Sequence, residues 1–474
     1  MSRLHQRSVS GQAKVRVLCF TDTNSGRDVE MILPLRYFAE KFLNCEFHHA
    51  ISFDSYQIYR HKPDIIVTPN STGSRLYYRL ARAAHEQHIP LFSLVSEGNF
   101  RVDGTYDYWG YNEDRTFFQE YVCCWSKRTR DYLAEQEPHA QKKIVVTGHT
   151  GCDRYVIYRT IRKEEFPRKY NLPPYKKVIG YAGWAFNKLR FPRGVQELLQ
   201  FHGQEPTILS WTEEQRTLVH SILRDTIRDN KDILFILKRH PQDTSPELLQ
   251  QAVNELEGLA DFENVLCLGE EESLHDVIGV CDLWTCFEST TALEAWLLKK
   301  PTIFLNPDPE FKRADLVKGS AVARNSTEFK RMIDQLYGTG SISEFLSDDR
   351  VLQRQKLVTD SIGYGDGFNH VRAAYYFNRI VEELPAAARP HYRFSPVQLF
   401  FHLFTVIGGA FYVRSIYKQL YKFKKHLWVF ENYKMQELEE LYARYVPFLR
   451  EFYVEQKVEE QFRAGTLFGS VLRE

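Results

Sequence analysis

The chain has 474 residues, 43% hydrophobic and 26% charged, with a formal net charge of +1. That length exceeds one ordinary core and predicts two domains with an appendage, the balance is that of a globular protein, and a charge near zero gives no electrostatic case for a nucleic-acid partner. The 8 cysteines form no CxxC pair and no metal-ligand spacing, which reads as reduced, mostly buried thiols of a cytoplasmic protein. Residues 1–14 are polar and carry no apolar run, so they read as a disordered tail and not as a secretory signal.

Val15 to Thr21 (VRVLCFT) is a first predicted strand, and the turn after it carries Asn24, Ser25 and Gly26. Val29, Ile32, Leu33, Leu35, Phe38 and Phe42 then form the apolar face of a helix. Ile65 to Thr68 is a second strand, followed by Asn70, Ser71, Thr72 and Gly73, with a helix over Leu76 to Gln87. Leu91 to Val95, Tyr121 to Trp125 and Lys143 to Thr147 are further strands, the first of them ending in Ser96, Glu97, Gly98 and Asn99. Helices between strands imply a parallel sheet whose functional groups gather at the carboxyl ends of the strands. The fold class is therefore α/β, with a Rossmann-like domain over 15–165. No GxGxxG fingerprint accompanies it, so nicotinamide and flavin cofactors have no support. Glu97 stands at a strand end beside Gly98, which permits close approach of a ligand, so its carboxylate is placed to act as a general base. A solvated loop glutamate is the alternative.

A proline- and lysine-rich stretch from Pro167 reads as a linker, and a second Rossmann-like domain is expected over 175–385. Lys177 to Ala182 (KVIGYA) opens its sheet and leads into Gly183 and Trp184. Phe186 to Thr207 lacks a strong period and is expected to be irregular. Glu213 to Asp229 and Ser245 to Leu259 read as helices, Ile233 to Leu237 and Val265 to Leu268 as strands, and Leu274 to Val280 as helix. Lys238, Arg239, His240 and Pro241 follow a strand: two cations and an imidazole that titrates near neutral pH can neutralise a phosphate or move a proton, and the proline stops the strand. A solvated basic turn is the alternative.

The most organised stretch is Asp282 to Asn306 (DLWTCFESTTALEAWLLKKPTIFLN), a strand, a polar turn, a helix and a strand. Its Ser289, Thr290 and Thr291 crowd a helix start. There, hydroxyls cap free N–H groups and can present them to an anion. An ordinary cap explains the same residues, and Glu294, one turn on, is either turned to the site or a surface glutamate.

These motifs, in this order, resemble the GT-B glycosyltransferases. The match is closest to bacterial sialyltransferases, polysialyltransferases and Kdo transferases that use CMP-activated acidic sugars. In those families an acidic pair with glycine lies in the first domain, and an HP and a Ser/Thr motif lie in the second. Ser96-Glu97-Gly98, His240-Pro241 and Ser289-Thr290-Thr291 correspond, although Ser96 replaces the first acidic residue. The resemblance implies two Rossmann-like domains facing a crevice and an inverting, metal-independent transfer that needs no cofactor beyond the nucleotide-sugar donor. In it Glu97 is the base and His240, with Lys238 or Arg239, stabilises the leaving phosphate. Gly183, Ser289, Thr290, Thr291 and Glu294 line the nucleotide. Asn24, Ser25, Asn70, Ser71 and Asn99 are the acceptor-side candidates. Glycerophosphotransferases that use CDP-glycerol share the second-domain motifs, so that activity is the alternative, followed by a non-catalytic GT-B scaffold and, more distantly, a UDP-sugar epimerase.

Residues 391–474 are expected to form a helical appendage. Within it Ser395 to Val413 is apolar but broken by Gln398, His402 and two glycines, and a basic aromatic run follows from Arg414. That is marginal for a spanning helix. Over 395–428, contact with an anionic membrane surface and packing against protein are the two readings, the first placing the enzyme on the inner face of the cytoplasmic membrane. The partners expected are a nucleotide-sugar donor and a glycan or lipid-linked glycan acceptor.

Overall fold

In the computed structural model the described residues are 13–22, 26–52, 54–70, 75–96, 98, 117–240, 254–269, 272–308, 315–384, 390–400, 402–403 and 435–472. Contacts divide the chain into two units, Met1–Tyr158 with Thr359–Glu474, and Arg159–Val358. The chain thus re-enters the first unit at Thr359, whereas the sequence pattern places domain boundaries at 165, 175 and 385. The reason is packing: helix Asn369–Glu383 buries Val371, Ala373, Ala374 and Phe377 in the same core as Val17, Phe38 and Phe92.

The first unit holds β1 (Val15–Thr21), β2 (Cys45–Ile51), β3 (Ile65–Thr68), β4 (Leu91–Ser93), β5 (Tyr121–Cys124) and β6 (Ile144–Val146). They form a parallel sheet in the order β2-β1-β3-β4-β5-β6. β2 is not visible in the sequence pattern because Glu46, His48 and His49 interrupt its apolar run. It is an edge strand, where one face is enough to hold it.

Helix Met435–Glu455 also belongs here. Its Leu438 packs on Val29 and Leu33, and its Leu449, Phe452 and Tyr453 enter the main core. At the centre of this junction Asp153 accepts from the backbone N–H groups of Asn369 (3.1 Å) and His370 (2.7 Å) and pairs with His370 Nδ1 at 2.8 Å. His370 Nε2 lies 2.8 Å from the Tyr453 hydroxyl. The last ninety residues are therefore built partly into the first unit. Residues 404–434 lie outside the described residues, and among those described no helix is long and apolar enough to cross a membrane.

The second unit holds β7 (Lys177–Ala182), β8 (Ile233–Lys238), β9 (Val265–Leu268), β10 (Leu283–Cys286), β11 (Thr302–Leu305) and β12 (Ala321–Ala323). Its parallel sheet runs β12-β11-β10-β7-β8-β9. From β7 the chain winds outward through β8 and β9, then crosses back to place β10 on the other side of β7. The β7/β10 boundary is thus the point where the winding direction reverses. Gly180 makes this pairing fit, since a Cβ there would stand 2.3 Å from the ring of the fully buried Trp284.

The stretch expected to be irregular, Phe186 to Thr207, instead contains a 3-10 turn, Phe186–Arg190, and a helix, Pro192–Phe201. Proline at its first position, with its preset φ, starts that helix. The next helix begins at Thr207 and runs to Asp229. Of the helix expected over Ser245 to Leu259, residues 245–253 lie outside the described residues, and 255–258 form turns ending at Gly258, whose φ is +71°. Helix Ser326–Thr339 also lies in this unit, and helix Asp348–Ile362 runs out of it past Val358.

Candidate functional site

The pairing register aligns the carboxyl ends of three neighbouring strands. Ala182 of β7 pairs with Cys286 of β10 on one side and Lys238 of β8 on the other. Two residues further, Trp184 lies at the level of His240 and Glu288. With about 4.8 Å between strands, the His240 and Glu288–Ser289 turns flank β7 at a separation of roughly 10 Å, at the reversal point where open α/β sheets bind ligands.

Gly183 is fixed by its backbone. Its N–H continues the ladder to the Lys238 carbonyl at 2.8 Å, and a Cβ would lie 3.0 Å from that oxygen and 3.2 Å from the His240 nitrogen. The next N–H, of Trp184, donates to Glu255 Oε1 at 2.8 Å, and the Tyr181 hydroxyl donates to the same oxygen at 3.0 Å. Glu255 is fully buried. It holds the turn beside His240, and nothing in the sequence singles it out, since it lies in what reads as an amphipathic helix.

His240 is partly buried, and burial first, then the nearby Lys188 cation, hold its pKa down at about 4. At neutral pH its imidazole is therefore uncharged. That pKa lies below the near-neutral titration expected of the side chain, which is therefore suited to hydrogen bonding and is not a ready proton source. Lys188 itself pairs with Glu197 at 3.1 Å. The two cations beside His240 differ. The Lys238 amine donates to the Gly269 carbonyl and so ties β8 to the end of β9. Arg239 donates its backbone N–H to Leu268 O at 2.8 Å, and its side chain is partly exposed.

The three hydroxyls after β10 also differ. Thr291 accepts the Trp284 indole N–H at 2.9 Å and donates to Ser289 Oγ at 3.0 Å, while Ser289 Oγ accepts the Thr291 backbone N–H at 3.3 Å. Two of the three thus serve the helix start and a core tryptophan, and Thr290 is the exposed one. Glu294 sits in the first turn of helix Thr291–Leu297 and is partly buried. Around this edge Trp184, Phe186, Phe287 and Trp211 form an aromatic cluster, and the Trp211 indole donates to Asp308 after β11 at 2.8 Å. The sequence signal for Trp184 is its position just past a strand end.

In the first unit Glu97, Asn24, Ser25, Ser71 and Asn99 lie outside the described residues, as does Pro241 in the second. Asn70 follows β3 and is partly buried. Gly98 is required where it stands, because a Cβ would lie 2.7 Å from the Trp125 indole. Trp125 in turn stacks on His149 with ring centroids 3.8 Å apart, and His149 Nδ1 accepts the Gly151 N–H at 3.0 Å. Among the described residues no group of three His, Cys, Asp or Glu side chains is arranged to hold a metal ion.

Two Rossmann-like halves with C-terminal helical segments are the architecture of the GT-B class. A putative UDP-N-acetylglucosamine 2-epimerase from Listeria monocytogenes superposes with a TM-score of 0.51 at 15% identity, over 81% of this chain and 100% of that one. The UDP-GlcNAc 2-epimerase of Neisseria meningitidis, solved with UDP-GlcNAc bound, gives 0.49 at 14% identity over 77% of this chain and 100% of that one. A variant of the wall teichoic acid polymerase TagF gives 0.49 at 14% identity over 79% and 90%. No family model matches the chain, and no curated protein matches it. The likeness is one of fold.

Proposed function

We propose that this chain is a GT-B enzyme that uses a nucleotide-activated donor, and more specifically an inverting, metal-independent glycosyltransferase of surface polysaccharide or lipopolysaccharide assembly. The donor is a CMP-linked acidic sugar of the nonulosonate or Kdo type and the acceptor a glycan. The observation that carries the reading is the edge of the second sheet. There an uncharged His240, the Arg239 cation, the Thr290 hydroxyl and a side-chain-free Gly183 surround the reversal point of the winding.

In this reaction the acceptor oxygen attacks the anomeric carbon and the bond from that carbon to the donor phosphate breaks. Glu97 takes the acceptor proton. The leaving phosphate receives a hydrogen bond from neutral His240 and charge compensation from Arg239. Ser289 and Thr290 contact the phosphate, and Glu294 accepts from the ribose hydroxyls. Lys238 and Thr291 act one step back, holding the ends of β8 and β10 through Gly269 and Trp284. Asn24, Ser25, Asn70, Ser71 and Asn99 are assigned to the acceptor side. Contact with the inner membrane surface through 395–428 would bring a lipid-linked acceptor to the site.

The solved structures of similar fold are named for UDP-N-acetylglucosamine epimerisation and teichoic acid polymerisation. The Listeria name, carried to this chain, makes UDP a competing nucleotide, and the second-domain resemblance to CDP-glycerol glycerophosphotransferases makes CDP another. The test is thermal stabilisation of the purified protein by CMP, CDP, UDP and GDP, first without metal and then with magnesium, since a ligand of the folded state raises Tm by mass action. A shift with CMP and no metal is the expected result. A shift with CDP alone points to a glycerophosphotransferase, with UDP alone to an epimerase, and a shift only with magnesium ends the metal-independent assignment.

A further inference from the structure

Trp184 and Asn187 have no role in the reaction just described, yet both lie in the turn that leaves β7 beside His240. Trp184 is partly exposed. Phe186 and Phe287 prop its indole at interplanar angles of 74° and 63°, with centroids 4.8 and 5.5 Å away, so they fix its tilt without stacking parallel on it. Its backbone is held by the buried Glu255. A propped, tilted, part-exposed indole, on a residue whose backbone lies about one strand spacing from that of His240, is suited to stack a planar ring.

The second observation is independent of the first. Asn187 is 1% exposed, and among the described residues neither its amide oxygen nor its amide nitrogen has a hydrogen-bond partner. Sealing a polar group unpaired is costly, and a core position of that size would take leucine without the cost. An amide offers one acceptor and two donors in a plane, the pattern that pairs with the edge of a nucleobase. It lies in the 3-10 turn Phe186–Arg190, three residues after Trp184.

We propose that the β7 turn is a nucleobase subsite, in which Trp184 stacks on the base and the Asn187 amide, reached by a shift of its one-turn segment, pairs with the base edge. This rests on the nucleotide-donor reading above and adds where the base is recognised and by what.

The test is calorimetric titration of the full chain with CMP, UMP and ribose 5-phosphate, using the natural sequence, Trp184→Ala, Trp184→Phe and Asn187→Leu. Stacking on an aromatic side chain accounts for about tenfold or more in affinity. CMP or UMP should therefore bind at least about tenfold more tightly than ribose 5-phosphate. Trp184→Ala should remove most of that preference, and Trp184→Phe should keep most of it. Asn187→Leu should weaken only the base-bearing ligands while raising Tm. The subsite is overturned if Trp184→Ala leaves the CMP affinity unchanged or weakens all three ligands equally. It is also overturned if Asn187→Leu raises Tm with no change in nucleotide affinity, or if ribose 5-phosphate binds as tightly as CMP. If the natural protein binds none of the three, the donor reading falls as well.

Discussion

Replacing His240 by glutamine should remove a defined part of the protein's acid sensitivity. The imidazole has an ordinary pKa of 6.5 and is held at about 4 in the folded chain, first by burial and then by Lys188. Above pH 6.5 it is neutral whether the chain is folded or unfolded, and it contributes no pH dependence. Between 6.5 and 4 the unfolded chain takes up a proton that the folded chain refuses, so stability falls as pH falls; below 4 both are protonated and the loss is complete. The full difference corresponds to roughly 3 kcal/mol. At pH 4.5 the natural protein should have lost about 2–3 kcal/mol through this group alone, and His240→Gln should lack that loss. Urea unfolding of both proteins at pH 7.5, 6.0, 5.0 and 4.5 reads the difference between them, in which all other titrating groups cancel. Parallel stability curves across that range would refute the uncharged imidazole, and with it the assignment of His240 as a neutral hydrogen-bond donor. His240→Ala should nearly abolish turnover with the fold intact, and natural rates in that variant would remove His240 from the reaction.

Glu255→Ala leaves the Trp184 N–H and the Tyr181 hydroxyl without their acceptor in a buried site, at about 1–3 kcal/mol for each. Glu255→Gln keeps an acceptor oxygen and should restore most of the stability and the nucleotide affinity; equal losses in both variants would mean that the charge, not the acceptor, holds the turn. Asp153→Ala strips three partners at once from the junction of helix Asn369–Glu383, a loss of about 3–5 kcal/mol by analogy with broken buried pairs. Its mark in hydrogen exchange should be early opening of both Asn369–Glu383 and Met435–Glu455, because His370 links Asp153 to Tyr453. Loss of protection confined to the first helix would break that link.

The α/β class and the two Rossmann-like halves were legible because parallel strands buried on both faces are written as apolar runs. Lys177–Ala182 matches its strand residue for residue, and so does Val265–Leu268, an edge strand that is apolar throughout. The turns that end β8 and β10 were legible for the same reason, since a basic or hydroxyl-rich cluster right after such a run falls on the sheet's carboxyl edge. β2 was not legible, because an edge strand with His48 and His49 needs no continuous apolar run. Nor could the sequence divide labour within its motifs. Whether Lys238 and Thr291 face a ligand or hold Gly269 and Trp284 depends on neighbours 31 and 7 residues away. Glu255, Asn187 and the Asp153–His370–Tyr453 chain have meaning only through burial and long-range partners, and the return of Thr359–Glu474 to the first unit is a matter of which core was left to fill. Local periodicity determined the elements and the edge on which chemistry gathers. Burial, which sets the charge of His240 and the partners of every side chain around it, was decided by the tertiary structure alone.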